Sequence, residues 1–346
     1  MFETLPSHPT PEITESDRGS RPAREREGSP PPVLAIAGAG LSGSTLLCRM
    51  LGELPGFVAI GEVGRIWEKG LREDLDCSCG RPFSACPFWE AVGREAFGGW
   101  DRLDMSECGR LARSITLSDG RLPHPFAVPR ILVPRSAPRF RHDLLAYAGL
   151  LDRVYRGVRT VAGADVVVDS MKIPAHIYML ATQDRFAASF VQLVRDPRGV
   201  AYSNTKEVRR QGSRADKPMR TIRTPAKTAS KWLWFNMSFE FLRTLGHPLT
   251  RVAYEELIRD PATTMRACAG HAGFPPSDAG LRFIDGRTVD LAPGHLVSGN
   301  RMRRTRGEIE LRIDDAWRRQ LPPDDRRTVE RISFPVLRRY GYSPIR

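Results

Sequence analysis

The residues with the clearest chemical potential come early in the chain. Gly38-Ala39-Gly40-Leu41-Ser42-Gly43 runs directly into Ser44 and Thr45. An apolar run, Val33–Ala37, precedes the glycines, and Leu46, Leu47, Met50 and Leu51 follow at helical spacing. A strand, a glycine loop and a helix in that order place backbone N–H groups and two hydroxyls at the positive end of a helix, a cradle for an anion. Two chemistries suit such a cradle. The string matches GxGxxG, and Glu62 lies 19 residues beyond Gly43, as the acid that holds a ribose does in a dinucleotide fold. Alternatively, Gly40, Ser42, Gly43, Ser44 and Thr45 wrap a phosphate in a loop of another kind. The nucleotide-hydrolase version is disfavoured, because no lysine precedes Ser44.

Further groups point to anions. Arg195 ends an apolar run, and Ser203 follows it by eight residues. A guanidinium fork matches phosphate oxygens, although an ion pair with Asp196 is the simpler role. Arg301-Met302-Arg303-Arg304-Thr305-Arg306-Gly307 sets four arginines in six positions. Asp169-Ser170-Met171-Lys172-Ile173-Pro174 carries a lysine between acid and proline, and Tyr254-Glu255 follows a short apolar run. Cys77, Cys79 and Cys86 are closely spaced, but zinc needs a fourth ligand, which would have to be Cys108 or a histidine. The expectation is a structural turn that packs Phe88 and Trp89, with no metal, and structural roles for His176 and His295.

These groups need elements to position them. Strands are expected at Val33–Ala37, Phe57–Ile60, Asp165–Val168, Ala188–Val194 and Leu249–Ala253. Helices are expected at Ser44–Leu54, Phe140–Arg156, Ala175–Thr182 and Ser230–Leu245, and another starts at Pro197 with Asp196 as its cap. A simpler role for Glu62 is the N-terminal carboxylate of a helix over Glu62–Gly70. Residues 71–135 read as irregular with short helices, and the C-terminal third as helical. Alternating strands and helices imply a three-layer α/β/α domain with a mostly parallel central sheet. Ligands bind such sheets beyond the C-terminal strand ends. Gly38–Thr45, Asp169–Lys172, Arg195–Pro197 and Tyr254–Glu255 should therefore converge on one edge.

Four segments taken together carry a family resemblance. Ser42-Gly43-Ser44-Thr45-Leu46-Leu47, Gly61-Glu62, Asp169-Ser170-Met171-Lys172-Ile173-Pro174, and Val194-Arg195-Asp196-Pro197-Arg198 with Ser203 resemble the sulfotransferases that use 3′-phosphoadenosine 5′-phosphosulfate. Cys77-Ser78-Cys79-Gly80 through Cys86-Pro87-Phe88-Trp89, with Val297-Ser298-Gly299-Asn300, is similar to a bacterial branch of that family. The first four motifs also resemble the tyrosine sulfotransferases. The resemblance covers about residues 33 to 342 and implies a P-loop-like fold.

It further implies roles. Gly40, Ser42, Gly43, Ser44 and Thr45 would hold the donor's 5′ end, and Arg195 with Ser203 its 3′-phosphate. Arg301, Arg303, Arg304 and Gly307 would belong to a lid over that phosphate, and Tyr254 would lie beside the adenine. Glu62 would be the base, Lys172 would stabilise the leaving group, and Ser170 would modulate Lys172. No metal is required. Leu41 departs from the pattern, which normally has Arg or Lys at that place. The alternatives are a nicotinamide-dependent oxidoreductase and a catalytically impaired nucleotide-binding protein.

Composition sets the outer bounds. The chain has 346 residues, a formal net charge of +13, 41% hydrophobic residues and six cysteines. That is a globular composition, too poor in cysteine for a disulfide scaffold. Residues 1–32 hold seven prolines, six acids and four arginines, so a disordered tail is expected there, with one large domain from residue 33 to 346. No run approaches about 18 apolar residues, and the first 32 lack the apolar core of a secretory signal. A cytoplasmic protein without a transmembrane segment is expected. The basic stretch lacks interleaved aromatics, which argues against nucleic acid. The partner is instead expected to be a small-molecule, glycan or lipid acceptor.

Overall fold

Val33 to Ala37 are all buried and wholly apolar. A strand with no polar face belongs in the middle of a parallel sheet covered on both sides. The computed structural model describes residues 29–116, 127–133, 137–205 and 224–343. The chain runs through β1 (Pro32–Gly38), α1 (Ser44–Leu51) and β2 (Phe57–Gly61). A 3-10 turn, Val63–Arg65, and a π-helical turn, Ile66–Arg72, come next. Then follow α2 (Pro87–Phe97), α3 (Met105–Ile115), α4 (Ala127–Leu132) and α5 (Pro138–Ala162). The central part comprises β3 (Val166–Asp169), α6 (Pro174–Thr182), β4 (Ala187–Val194), α7 (Pro197–Thr205) and α8 (Pro225–Thr244). β5 (Leu249–Ala253), α9 (Tyr254–Arg259), α10 (Pro261–His271), β6 (Ile284–Asp285), β7 (Thr288–Leu291), β8 (Gly307–Glu310), α11 (Trp317–Gln320) and α12 (Pro323–Leu337) complete the order.

The main sheet has the order β2-β3-β1-β4-β5 with every pairing parallel. Side chains of β1 alternate between two cores. Val33, Ala35 and Ala37 face the layer built with α5 and α6, whereas Leu34 and Ile36 face α1, α9 and α10. This is the expected three-layer α/β/α arrangement. Consecutive connections from β1 go to opposite sides, so the loop after β1 leaves the sheet between β3 and β4, at its switch point.

The expected strands are present to within about a residue at each end, the usual uncertainty of element ends. α1 is shorter than expected because Gly52 ends it, and the segment expected to be a helix from Glu62 is a 3-10 turn followed by a π turn. The C-terminal third is not all helical. It contains a three-stranded antiparallel sheet, β6-β7-β8. In Thr288-Val289-Asp290-Leu291 the apolar residues alternate inward and Asp290 is exposed, but four residues are too short for that period to stand out. Of the expected tail, residues 1–28 lie outside the described residues, and Pro32 is already the first residue of β1. Among the described residues no helix is long and apolar enough to cross a membrane.

Gly38 closes β1 with φ of 142°, and a Cβ there would stand 2.3 Å from the carbonyl oxygen of Leu193 on β4. Only glycine lets the two backbones approach this closely. Gly38→Ala should lower the free energy of unfolding by about 1–3 kcal/mol, the usual cost of overpacking. A denaturation midpoint equal to that of the unaltered protein would contradict this register between β1 and β4.

Candidate functional site

All five parallel strands end on one edge, and each delivers a polar group there. β1 gives the glycine loop, β2 gives Glu62, β3 gives Asp169 to Lys172, β4 gives Arg195 and β5 gives Tyr254. In the loop, the Ser42 hydroxyl donates to the Ala39 carbonyl at 2.7 Å, so it closes the turn. Gly43 has φ of 95°, and a Cβ there would lie 2.7 Å from the Tyr254 ring. Ser44 starts α1, and Thr45 Oγ1 accepts from the N–H of Asn300 at 3.4 Å. Gly40 faces open space. Leu41 takes φ of 66°, a left-handed conformation that costs a non-glycine residue about 1–3 kcal/mol. Its side chain packs beside Ala39, Val194 and Trp232.

Beside the loop, Lys172 Nζ lies 2.6 Å from Glu62 Oε1, with the side chains 13% and 21% exposed. The same ammonium donates to the Ser170 carbonyl at 3.0 Å, so Ser170 holds Lys172 through its backbone. Ser298 Oγ donates to Glu62 Oε2 at 3.4 Å, and the Arg65 guanidinium lies 3.9 Å away. Burial pushes the Glu62 carboxyl upward, but Lys172 and Arg65 outweigh it and hold the group below its ordinary value of 4.5. Glu62 is therefore ionised. Beneath Lys172, Asp169 is fully buried. Its Oδ2 accepts from the Tyr155 hydroxyl at 2.7 Å and lies 2.7 Å from His176 Nε2, while Oδ1 caps the Met171 N–H at 2.8 Å. His176 thus has a partner that its sequence context did not suggest.

Arg195 is buried at the end of β4. Its Nη1 donates to the Leu41 carbonyl at 3.1 Å and lies 3.4 Å from Ser203 Oγ. Arg195, just before α7, and Ser203 are brought together across about two turns of helix. Nη2 pairs with Asp314 Oδ2 at 3.0 Å, and the guanidinium lies 4.7 Å from the centre of the Tyr254 ring. Asp196 is not the partner of Arg195. It caps α7 at the Arg198 N–H and pairs with the Arg198 guanidinium at 2.7 Å.

The arginine cluster folds as a 3-10 turn, Arg301–Arg304, and Gly307 begins β8. Arg304 pairs with Asp76 at 2.7 Å, and Arg303 donates to the Asp76 and Leu296 carbonyls. Arg301 is exposed. One contributor escaped the sequence reading. Arg49 on α1, nearly fully buried, donates to the carbonyls of Arg303, Thr305 and Ala292 and so ties the turn to the helix that follows the glycine loop. An arginine among Leu46, Leu47, Met50 and Leu51, on the apolar face of a helix, was the available signal. Cys77, Cys79 and Cys86 lie together, and their fourth neighbour is His295 rather than Cys108.

Residues 32–278 match the model of a family described as the sulfotransferase family. The arginine turn lies beyond the matched span. Among solved structures, the chain is similar to the sulfotransferase domain of the Synechococcus PCC 7002 olefin synthase, with 19% identity, 93% of this chain and 99% of that chain covered, and a TM-score of 0.48. A sulfotransferase domain from the curacin biosynthetic pathway matches at 16% identity over 92% of this chain and 100% of that chain, with a TM-score of 0.46. A sulfotransferase from Mycobacterium tuberculosis H37Rv matches at 17% identity over 73% of this chain and 70% of that one, with a TM-score of 0.39. No curated protein matches.

The Glu62–Lys172 pair has a definite pH signature. Because the folded carboxyl is depressed, its stabilising contribution is present above the unfolded value and is lost as pH falls through the folded one. The Glu62 carboxyl, followed by NMR, should titrate below pH 4.5. In Lys172→Met, burial acts with one opposing charge fewer, and the midpoint should move up. A midpoint that stays in place would show that Lys172 does not govern Glu62.

Proposed function

The chain belongs to the sulfotransferase family, and from that premise we propose that it uses 3′-phosphoadenosine 5′-phosphosulfate to sulfate a hydroxyl or amine, with Glu62 as the base. Family membership displaces the nicotinamide reading of the glycine loop. The observation that carries the proposal is the ion pair between Glu62, at the end of β2, and Lys172, after β3, beside the loop that follows β1. A carboxylate and an ammonium paired at the sheet edge that also carries the glycine loop support this reading.

When bound, the donor supplies an activated sulfuryl group and two phosphates. Backbone N–H groups of Gly40 to Thr45, with the hydroxyls of Ser44 and Thr45, suit its 5′ phosphate. Arg195 and Ser203 suit its 3′-phosphate, and the Asp314 carboxylate on Arg195 supports the view that this guanidinium holds anions. Tyr254 would flank the nucleotide by way of Gly43 and Arg195. Arg301, Arg303, Arg304 and Gly307 would close over it, with Arg301 the cation best exposed for that purpose. Glu62, ionised, takes the acceptor's proton on a carboxylate oxygen. Lys172 neutralises charge that develops on the departing phosphate oxygen, and the Ser170 carbonyl keeps its ammonium in place. None of these roles requires a metal.

Leu41 favours a second reading, a nucleotide-binding protein of reduced activity, since the position that normally carries a cation here is apolar and packed. The acceptor would be a small molecule, glycan or lipid hydroxyl. We propose segments 90–160 and 205–228 as the walls of its pocket, with Arg209, Arg210, Arg214 and Lys217 as candidates to attract an acidic acceptor; residues 117–126, 134–136 and 206–223, those four among them, lie outside the described residues.

Thermal shifts separate these readings. Adenosine 3′,5′-bisphosphate should raise the melting temperature and NAD should not. Arg195→Ala should weaken the bisphosphate by about 1.5–3 kcal/mol, the range for a charged hydrogen bond, and leave adenosine 5′-phosphate nearly unchanged. Equal losses for the two ligands would remove Arg195 from the 3′ site. Turnover is then read as gain of one sulfuryl group on an acceptor panel by mass spectrometry. Glu62→Gln should keep bisphosphate affinity and lower kcat by about 10²–10⁴-fold. Intact turnover in that variant rules out Glu62 as the base, whereas an unaltered protein that binds the bisphosphate but sulfates nothing matches the reading favoured by Leu41.

A further inference from the structure

Three thiols and one imidazole that lie outside the proposed chemistry converge on a single point. Cys77 and Cys79 sit in a tight turn in which the Gly80 N–H donates to the Cys77 carbonyl at 3.0 Å and the Cys77 N–H donates to the Arg81 carbonyl at 2.8 Å. Cys86 is the cap residue of α2. His295 arrives from the segment between β7 and the arginine turn, more than 200 residues later in the chain. The ligand-type atoms of these four residues all lie within 4.8 Å of one another. Cys79 Sγ is 3.7 Å from Cys86 Sγ, and His295 Nδ1 is 3.8 Å from Cys77 Sγ and 3.3 Å from Cys86 Sγ.

Those separations have a specific meaning. A disulfide requires about 2.05 Å between sulfurs, and all six cysteines are free. A tetrahedral zinc ion, with bonds of about 2.3 Å to sulfur and 2.0–2.1 Å to nitrogen, sets edges of about 3.8 Å between sulfurs and about 3.6 Å between sulfur and nitrogen. The 3.7 Å sulfur–sulfur edge and the 3.8 and 3.3 Å sulfur–nitrogen edges lie close to these values, and the other three edges do not exceed 4.8 Å. Three thiolates and one imidazole also form a donor set of the softness that zinc prefers, and four protein ligands leave no open position for catalysis.

Neighbouring groups hold the ligands in place through ring stacking and hydrogen bonds, as they do around structural metal ions. The His295 ring stacks on Phe88 with centroids 4.7 Å apart and planes 13° apart. The Trp89 indole N–H donates to the His295 carbonyl at 2.9 Å. Ser78, between the two cysteines, joins the strands of chain on either side of the site: its Oγ donates to the Gly294 carbonyl at 2.6 Å and accepts from the Leu296 N–H at 2.7 Å. Cys77, Cys86 and Trp89 are buried and Cys79 and His295 are half-buried, so the site lies at the margin of the core.

From this geometry we propose that Cys77, Cys79, Cys86 and His295 bind one structural zinc ion through three Sγ atoms and Nδ1. The ion clamps the 77–86 loop to the 292–298 segment. That segment continues into Ser298, which touches Glu62, and into the arginine turn, whose Arg303 and Arg304 reach Asp76 beside Cys77. Zinc would thus hold the arginine turn from one side as Arg49 does from the other. Binding releases the thiol protons of the three cysteines to solvent and involves no oxidant or reductant.

The test uses the full-length chain and needs no acceptor or donor. Protein purified without chelators should carry one zinc per chain by elemental analysis. Replacement by cobalt should give the absorption of a tetrahedral, sulfur-rich site. Cys79→Ser and His295→Ala should each lower zinc occupancy several-fold, whereas Cys108→Ser and Cys268→Ser should retain one ion. Should a ligand variant fail to fold, stripping the unaltered protein with a strong chelator serves instead: the melting temperature should fall and return on addition of zinc. The proposal is overturned if the unaltered protein holds no zinc and takes up none when reduced, or if the cobalt spectrum is octahedral. It is equally overturned if zinc persists in both ligand variants. Because the readout is the metal itself, either result leaves the sulfuryl-transfer reading where it stands.

Discussion

Parallel pairing of β1 with both β3 and β4 is the constraint on which the rest of the structure depends. A strand buried on both faces and bonded along both edges has no freedom of register, because a shift by one residue would exchange its two cores. Since all five strands run the same way, each chain segment leaves the sheet on the same edge. Glu62, Lys172, Arg195 and Tyr254 share that edge with the glycine loop for that reason. The loop itself occupies the switch point, where neighbouring connections diverge and leave a crevice.

Charge is then used at close range. The chain carries a net +13, yet several of its arginines act as internal ties rather than as a free basic surface. Arg49 and Arg198 are buried, and burial of a guanidinium is tolerated only when its donors find acceptors. Arg49 finds backbone carbonyls of the segment that carries the arginine turn, and Arg198 finds Asp196, Glu330 and the Ser343 carbonyl. Arg195 combines both uses, since it is tied to the Leu41 carbonyl and still holds a carboxylate on its other nitrogen. The glycine loop and Arg195 are therefore one mechanical unit.

Legibility followed distance along the chain. The strand, glycine loop and helix are contiguous, so periodicity and glycine placement revealed them. The Asp196 cap with Pro197 was legible for the same reason. Gly61-Glu62, Asp169 to Pro174, and Arg195 with Ser203 were legible as motifs because each spans a few residues. The antiparallel sheet β6-β7-β8 was not, because strands of two to four residues carry too little periodicity. The acceptors of Arg49, the carboxylate that pairs with Arg195 and the identity of the fourth neighbour of the three cysteines were also out of reach, since each contact joins residues more than 100 positions apart.

The sequence by itself determined the alternation of elements, the family resemblance and the residue types available for anion binding and proton transfer, because these are properties of short runs. Tertiary structure alone decided which of those residues meet. It set Lys172 against Glu62, Asp314 rather than Asp196 against Arg195, and His295 rather than Cys108 beside the thiols. The physical reason is that strand order and loop closure, which are global, fix which chain segments share the edge of the sheet. A side chain's partner is whichever complementary group that packing places within reach.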